Sequence, residues 1–229
     1  MAFHPDKHFY YNMHGHILES VQSAKYMRVT LSADLKWNNH IQQMTSKANK
    51  SLSFIRRNLQ INSKSVKDRA YQSLVRPKLE YCCSVWDPYT TENIYKIEQV
   101  QRRAARYACH RHHNTSSVTE MIHSLDWPTL QERRLKTRLH IFYKIINNKI
   151  AVPYDNILIP SQSRTRSTHS NTIRQIQCNK DSFKFSFFCR TIKDWNKLPE
   201  HITNSSGYTE IFRERLTHDV LLKTFPHLT

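Results

Sequence analysis

The sequence predicts a mainly α fold: a helical bundle preceded by a small β segment, a hairpin plus one strand, and followed by an irregular C-terminal tail. Three observations predict it. Apolar residues recur every three or four positions over residues 38–59, 91–111 and 128–147. Helix punctuation falls between these stretches, with Pro77, the capping-box spacing Ser117-Val118-Thr119-Glu120, and Pro128. Short aromatic and β-branched runs interrupted by a glycine are confined to the first 32 residues.

In that first segment, residues 1–36, Gly15 of His14-Gly15-His16 supplies the positive φ of a tight turn, and a third strand is expected from Lys25 to Leu31. So little sheet needs a face to pack on. The bundle, residues 37–149, opens with a helix from about Asn38 to Leu59. Ile41, Met44, Ala48, Leu52, Ile55 and Leu59 share its apolar face, and Lys47, Lys50, Arg56 and Arg57 lie elsewhere on it. The next helix starts at Ser63 or Ser65 and is expected to bury Val66, Ala70 and Leu74. Pro77 removes a backbone donor and crowds the Ser73 carbonyl, so a kink or break is expected there, with Arg76 beside it.

A turn at Trp86-Asp87-Pro88 leads to a helix with Ile94, Ile97, Gln101, Ala104 and Ala108 inward and Lys96, Arg102, Arg103, Arg106 and Arg111 opposite. The capping box then predicts a short helix through Ile122. Trp127-Pro128 introduces the last long helix, to about Asn147, expected to bury Leu135, Leu139, Phe142 and Ile146 and to show Arg133, Arg134, Lys136, Arg138 and Lys144. Periodicity disappears from Ile150 to Asp181, where Arg164, Arg166, Arg174 and Lys180 are scattered among polar residues, so residues 150–182 read as a linker or wrapping loop. In the last segment, 183–229, Phe183, Phe185, Phe187, Phe188 and Trp195 interleave with Lys184, Arg190 and Lys193. Such a pattern suits base stacking with phosphate contact, but an aromatic face docked on the bundle is the simpler account, because apolar clusters of this kind are usually core. A final amphipathic helix is expected from Thr209 to Leu222, using Ile211, Phe212, Leu216 and Val220.

Charge narrows the partner. Thirty-five Lys and Arg against eighteen Asp and Glu leave a net charge of +17, which suits a polyanion. No apolar run approaches the ~20 residues that span a bilayer, and no lipidation motif is present, so nucleic acid is expected and membrane is not. With only Gly15 and Gly207, glycine-rich phosphate loops are excluded. Five cysteines, Cys82, Cys83, Cys109, Cys178 and Cys189, without disulfide-framework spacing or a signal peptide, predict an intracellular, reducing compartment.

Candidates for chemistry are few. Two-metal nucleotidyl transfer needs clustered carboxylates, and no two acidic residues are adjacent; Glu210 and Glu214 read as a solvated helix face. Cys109-His110-Arg111-His112-His113 carries zinc's preferred ligand types, but consecutive residues cannot all face one ion and the spacing fits no finger or knuckle. Histidines at a helix C-terminus are the simpler account. Cys82 and Cys83 read as core packing. No nucleophile arrangement stands out, and neither cofactor nor metal is expected.

Taken together, MAFHPDK, HGHILESVQSAKYMRVTLSADLKWNNHI, KANKSLSFIRRNL, AYQSLVRPKLEYCCSVWDP, IEQVQRRAARY, SLDWPTLQERR and SFFCRTIKDWNKLP resemble the C-terminal end of the reverse transcriptase of non-LTR (LINE-type) retrotransposons, from the last palm strands through the thumb. The resemblance covers nearly the whole chain. It implies a thumb-like bundle, a palm-end β remnant, and a fragment of an RNA-directed DNA polymerase whose catalytic aspartate pair lies upstream of the matched region. Such a fragment is expected not to be an enzyme, and to retain sequence-tolerant binding of RNA or DNA backbone through Lys47, Lys50, Arg56, Arg57, Arg76, Arg102, Arg103 and Arg106. Three departures stand out: Tyr26-Met27-Arg28-Val29 where the family has Tyr-Leu-Gly-Val, a shortened stretch between Lys7 and His14, and Cys189 where a proline is usual. Two other readings remain open, a helical protein-interaction module with a basic surface, and one part of an active polymerase whose palm is encoded upstream.

Overall fold

The computed structural model describes residues 11–111, 117–154, 156–161, 169–205 and 207–228. The fold is mainly α with a small N-terminal β segment, as the periodicity predicts. Strands β1 (Asn12–Met13) and β2 (His16–Ile17) form the expected antiparallel hairpin, with His14 at φ 51° and Gly15 at φ 85° in its turn. The single strand expected from Lys25 to Leu31 is instead a second hairpin, β3 (Ser23–Tyr26) with β4 (Val29–Ser32). Its turn is Met27-Arg28, at φ 44° and 66°. Positive φ at both central residues matches the right-handed twist of the strands, but neither residue is the glycine that normally announces such a turn. Arg28 therefore lies in a turn and not, as the sequence suggested, within a strand.

Only β4 reaches the bundle. Val29 is buried, and the Thr30 amide donates to His40 Nδ1 at 3.2 Å, satisfying a buried backbone donor. Helix α1 (Asn38–Asn58) buries Ile41, Met44, Ala48, Leu52 and Ile55 on the expected stripe. Helix α2 (Lys64–Leu74) begins at Ser63, whose hydroxyl accepts from the Val66 amide. Its buried face differs from the expectation: Val66 and Leu74 are 40% and 49% exposed, while Lys67 and Tyr71 are buried. The face is turned by one residue, about 100°. Tyr71 explains the turn, because its ring stacks on Trp127 at 4.3 Å while its hydroxyl donates to Gln101 Oε1 at 2.8 Å. A large ring with its polar end satisfied gains more from burial than a valine and a leucine left against open space.

The chain breaks at Val75, and α3 (Arg76–Glu80) starts with Pro77 in its first turn, where no amide donor is needed. After α4 (Cys83–Trp86) comes α5 (Thr91–Ala108), burying Ile97, Val100, Gln101, Ala104 and Ala108 against α1 and α2. Helix α6 (Val118–Ser124) is capped by Ser117, which accepts from the Glu120 amide. Helix α7 (Leu130–Ile146) is capped by Thr129.

Helix α7 is shared between two cores. Leu130 closes the first, built from α1 to α6, whereas Leu135, Leu139, Phe142 and Tyr143 belong to the second. The second core is completed by α9 (Phe187–Trp195), α11 (Thr209–Arg215) and α12 (His218–Thr224). Trp195 is its centre, 5.5 Å from Phe142 and 5.9 Å from Phe212. The remaining short helices of the tail are α8 (Asp181–Lys184) and α10 (Glu200–Thr203). The late helix expected from Thr209 to Leu222 is two helices, since Leu216 leaves helical geometry at ψ 64° and the Thr217 side chain caps α12 by accepting from the Val220 amide. Asn196 and Ile173 exchange two hydrogen bonds, and the Trp195 indole donates to the Asn171 carbonyl, so residues 171–173 are sewn over this core.

Of the tail aromatics, Trp195 is core, Phe187 and Phe188 pack at the core's edge, Phe185 stacks on Tyr89 at 3.9 Å, and Phe183 is exposed. Docking accounts for all but Phe183. The arginines of α7 are the largest correction. Arg134 and Arg138, expected on the solvated face, are 1% and 2% exposed. Arg134 Nε donates to Asp87 at 2.9 Å, Arg138 reaches both Asp87 and Asp194, and Arg190 joins Asp87 from the second core. Arg133 forks onto Glu80. Buried charge is tolerated only when paired, and here the pairing joins the two cores. Among the described residues, no helix is long and apolar enough to cross a membrane.

Candidate nucleic-acid interface

Packing α5 along α1 leaves a groove on the solvent side of the pair, with a volume of about 660 Å³. From α1 it takes Ser46, Asn49, Ser53 and Arg57, which follow one another at three- and four-residue steps on one face, with Lys50 beside Asn49; Gln42 and Thr45 close one end. From α5 it takes Tyr95, Lys96, Gln99 and Arg103. Tyr95, Gln99 and Arg103 are four residues apart, a stripe about 12 Å long. The inward stripes on both helices force these side chains outward.

Four cations therefore line the groove, and no carboxylate is among the described residues that line it. Arg103 Nη1 donates to Asn49 Oδ1 at 3.2 Å, which ties the two helices together and leaves the rest of the guanidinium free to face a ligand. Lys96 donates to Glu92 at 2.6 Å, and this hydrogen bond, with the ammonium charge, holds the Glu92 carboxyl below its ordinary range. That pair is exposed and readily exchanged for another anion.

No protein-family model, curated protein or solved structure matches the chain. The groove is therefore read from its own chemistry.

Of the eight cations expected to bind nucleic acid, the structure brings three into the groove: Lys50, Arg57 and Arg103. Lys47 is turned about 100° from Ser46 and lies on the His40 side of α1. Arg102 and Arg106 flank the Arg103 stripe on the outer surface of α5, half-buried. Arg56 lies near the Tyr107 phenol, and Arg76, at the start of α3, lies on the Tyr71 side of the bundle. These five do not line the groove. Lys96 joins it, and so do the uncharged Tyr95, Asn49 and Gln99, which the sequence reading passed over. The four-residue spacing of Tyr95, Gln99 and Arg103 was visible, but which face of α1 would lie opposite was not.

Other candidate chemistry is differently placed. Among the described residues, no three His, Cys, Asp or Glu side chains are grouped to hold a metal ion. Cys109 is half-buried beside Ser124, and a ring nitrogen of His110 meets the Lys67 ammonium, which also lies 4.6 Å from the Tyr107 ring centroid. His112 and His113 lie outside the described residues, as do Arg164, Arg166 and the stretch from Met1 to Tyr10. Cys83 is buried as core, and burial pushes its thiol up to about 11. Cys82 is half-buried at φ 53°. Glu210 and Glu214 are both exposed.

Proposed function

We propose that this chain is a catalytically incomplete piece of a non-LTR retrotransposon reverse transcriptase, and that it holds RNA or DNA by the backbone in the α1/α5 groove. The parentage rests on the ordered motifs from HGHILESVQSAKYMRV to SFFCRTIKDWNKLP. The binding role rests on one observation above the others, four cations converging on one acid-free groove in a chain of net charge +17. The cations of such a surface displace the counterions condensed on the phosphates whatever the sequence, so binding is sequence-tolerant and salt-sensitive.

Titration with a labelled oligonucleotide at several salt concentrations tests the binding role. Log affinity falls linearly with log salt, with a slope of about −3 if four phosphates are neutralised. Changing Lys50, Arg57 and Arg103 together to Gln weakens binding for every sequence alike and lowers the slope by about one per lost contact. A salt-insensitive affinity, or an unchanged slope in the triple variant, refutes the groove as the site. Primer extension tests the missing catalysis: incorporation that survives repurification would overturn it.

A second reading, a protein-interaction module, is favoured by the exposed apolar side chains Tyr11, Met13, Ile17, Leu18, Val21 and Tyr26 on the two hairpins. Absence of oligonucleotide binding at low salt would select it.

A further inference from the structure

We propose that the α1/α5 groove takes an unpaired, single-stranded stretch of nucleic acid, with one base stacked on the Tyr95 ring. The inference rests on the backbone-binding reading above and adds to it the strandedness of the ligand and a residue that contacts a base.

Tyr95 is 62% exposed, on a helix whose apolar residues are otherwise turned inward. It is the one aromatic among the described residues that line the groove, and its ring takes part in no ring stack with another described residue. A large, mostly exposed ring placed among cations is the arrangement by which single strands are held: cations follow the phosphates and the ring takes a base face. In a duplex the base faces are covered by their neighbours, so the same ring meets only sugar and phosphate. The ring contributes fully only to a strand whose bases are free.

The other lining groups agree. Lys50 and Arg57 on α1, and Lys96 and Arg103 on α5, are each seven residues apart, so two rows of charge about 10 Å long flank the groove. A strand lying between them has cations on both sides. Gln42 and Gln99 each present a donor and an acceptor, and the Asn49 amide nitrogen remains available while its oxygen accepts from Arg103. Amides of this kind satisfy any base edge without selecting one. A volume of about 660 Å³ has room for a few nucleotides.

The test compares three ligands of equal length by fluorescence anisotropy: a pyrimidine single strand, the same strand with abasic sites replacing the bases, and a duplex. The wild-type chain binds the single strand about 5-fold or more tighter than the abasic strand, since stacking of one base is worth at least that much. Tyr95→Ala removes this preference while leaving abasic binding and duplex binding unchanged, and Tyr95→Phe keeps it. Because Tyr95 is exposed, both variants retain the wild-type melting temperature. Equal binding of normal and abasic strands by the wild-type chain overturns the proposal and leaves backbone binding standing. So does a Tyr95→Ala loss shared by all three ligands, or tighter binding of the duplex than of the single strand. Failure of all three ligands to bind at low salt removes the backbone reading itself, and this inference with it.

Discussion

Asp87 accepts a hydrogen bond from Arg134 Nε at 2.9 Å across 47 residues of chain, and both side chains are almost wholly removed from water. The same carboxylate also binds Arg138 and Arg190, so one aspartate in a turn neutralises charge from α7 and from α9. Arg138 in turn holds Asp194.

Asp87→Ala leaves three guanidinium groups at the seam with their principal partner gone. Removing one side of a buried pair costs about 3–5 kcal/mol, and chemical denaturation of the variant should show a loss of that size. A loss below about 1 kcal/mol would mean that Asp194 and water suffice.

The cations outside the groove provide a contrast. Lys47→Gln with Arg76→Gln removes as much charge as two groove substitutions, but neither residue lines the groove. The salt slope of oligonucleotide binding should stay within about half a unit of wild type, against about two for Lys50→Gln with Arg103→Gln. Equal slopes in the two double variants would mean that the whole surface binds diffusely.

Stability should fall on mild acidification, and His40 is one cause. Burial, with the Lys47 charge, lowers its pKa below the ordinary 6.5, and its Nδ1 must be unprotonated to accept from the Thr30 amide. Above the unfolded value the folded and unfolded chains are equally unprotonated there, and the contribution to stability is complete. As pH falls from that value toward the lowered one, only the unfolded chain takes up the proton, so stability is lost across that window. His140 is lowered by burial and by Lys144 and adds in the same sense. Urea midpoints at pH 7.5 and 5.0 should differ less for His40→Gln than for wild type; an equal difference would place the effect elsewhere.

Arg28 sits at φ 66° in the β3–β4 turn, where an L side chain is strained and glycine is not. Arg28→Gly should strengthen that hairpin by up to about 1 kcal/mol. Slower hydrogen exchange of the strand amides at Tyr26 and Val29 would report it, and faster exchange would show that the arginine side chain stabilises the turn.

The legible parts of this fold are those where one residue type has one consequence. The 3–4 stripes of α1 and α5, the Ser117 cap and the break at Pro77 each follow from local chemistry, and each stands where periodicity places it. Lys67 and Tyr71 defeated the same logic on α2, because a lysine stem and a hydrogen-bonded phenol are apolar surface in context and polar letters in a string. Arg134 and Arg138 look solvated in the sequence because a lone arginine is; only Asp87 and Asp194, far along the chain, offset the cost of burying them. The Met27-Arg28 turn carries no glycine to mark it. Each helix shows its cations in the sequence, Lys50 and Arg57 on one and Lys96 and Arg103 on the other, but the groove's existence depends on the rotation of α1 against α5, which is a property of the pair.

Helix α7 contributes Leu130 to one core and Leu135 through Tyr143 to the other, with Arg138 pinned between them. This makes its length a phase setting. Each residue added to or removed from the middle of that helix would advance the far end by about 1.5 Å and rotate it by about 100°. Phe142 would then point away from Trp195, and Arg134 and Arg138 could no longer both reach Asp87 while Arg138 also held Asp194. Substitutions along α7 can be absorbed one side chain at a time, whereas a single-residue insertion or deletion there puts two whole cores out of register at once.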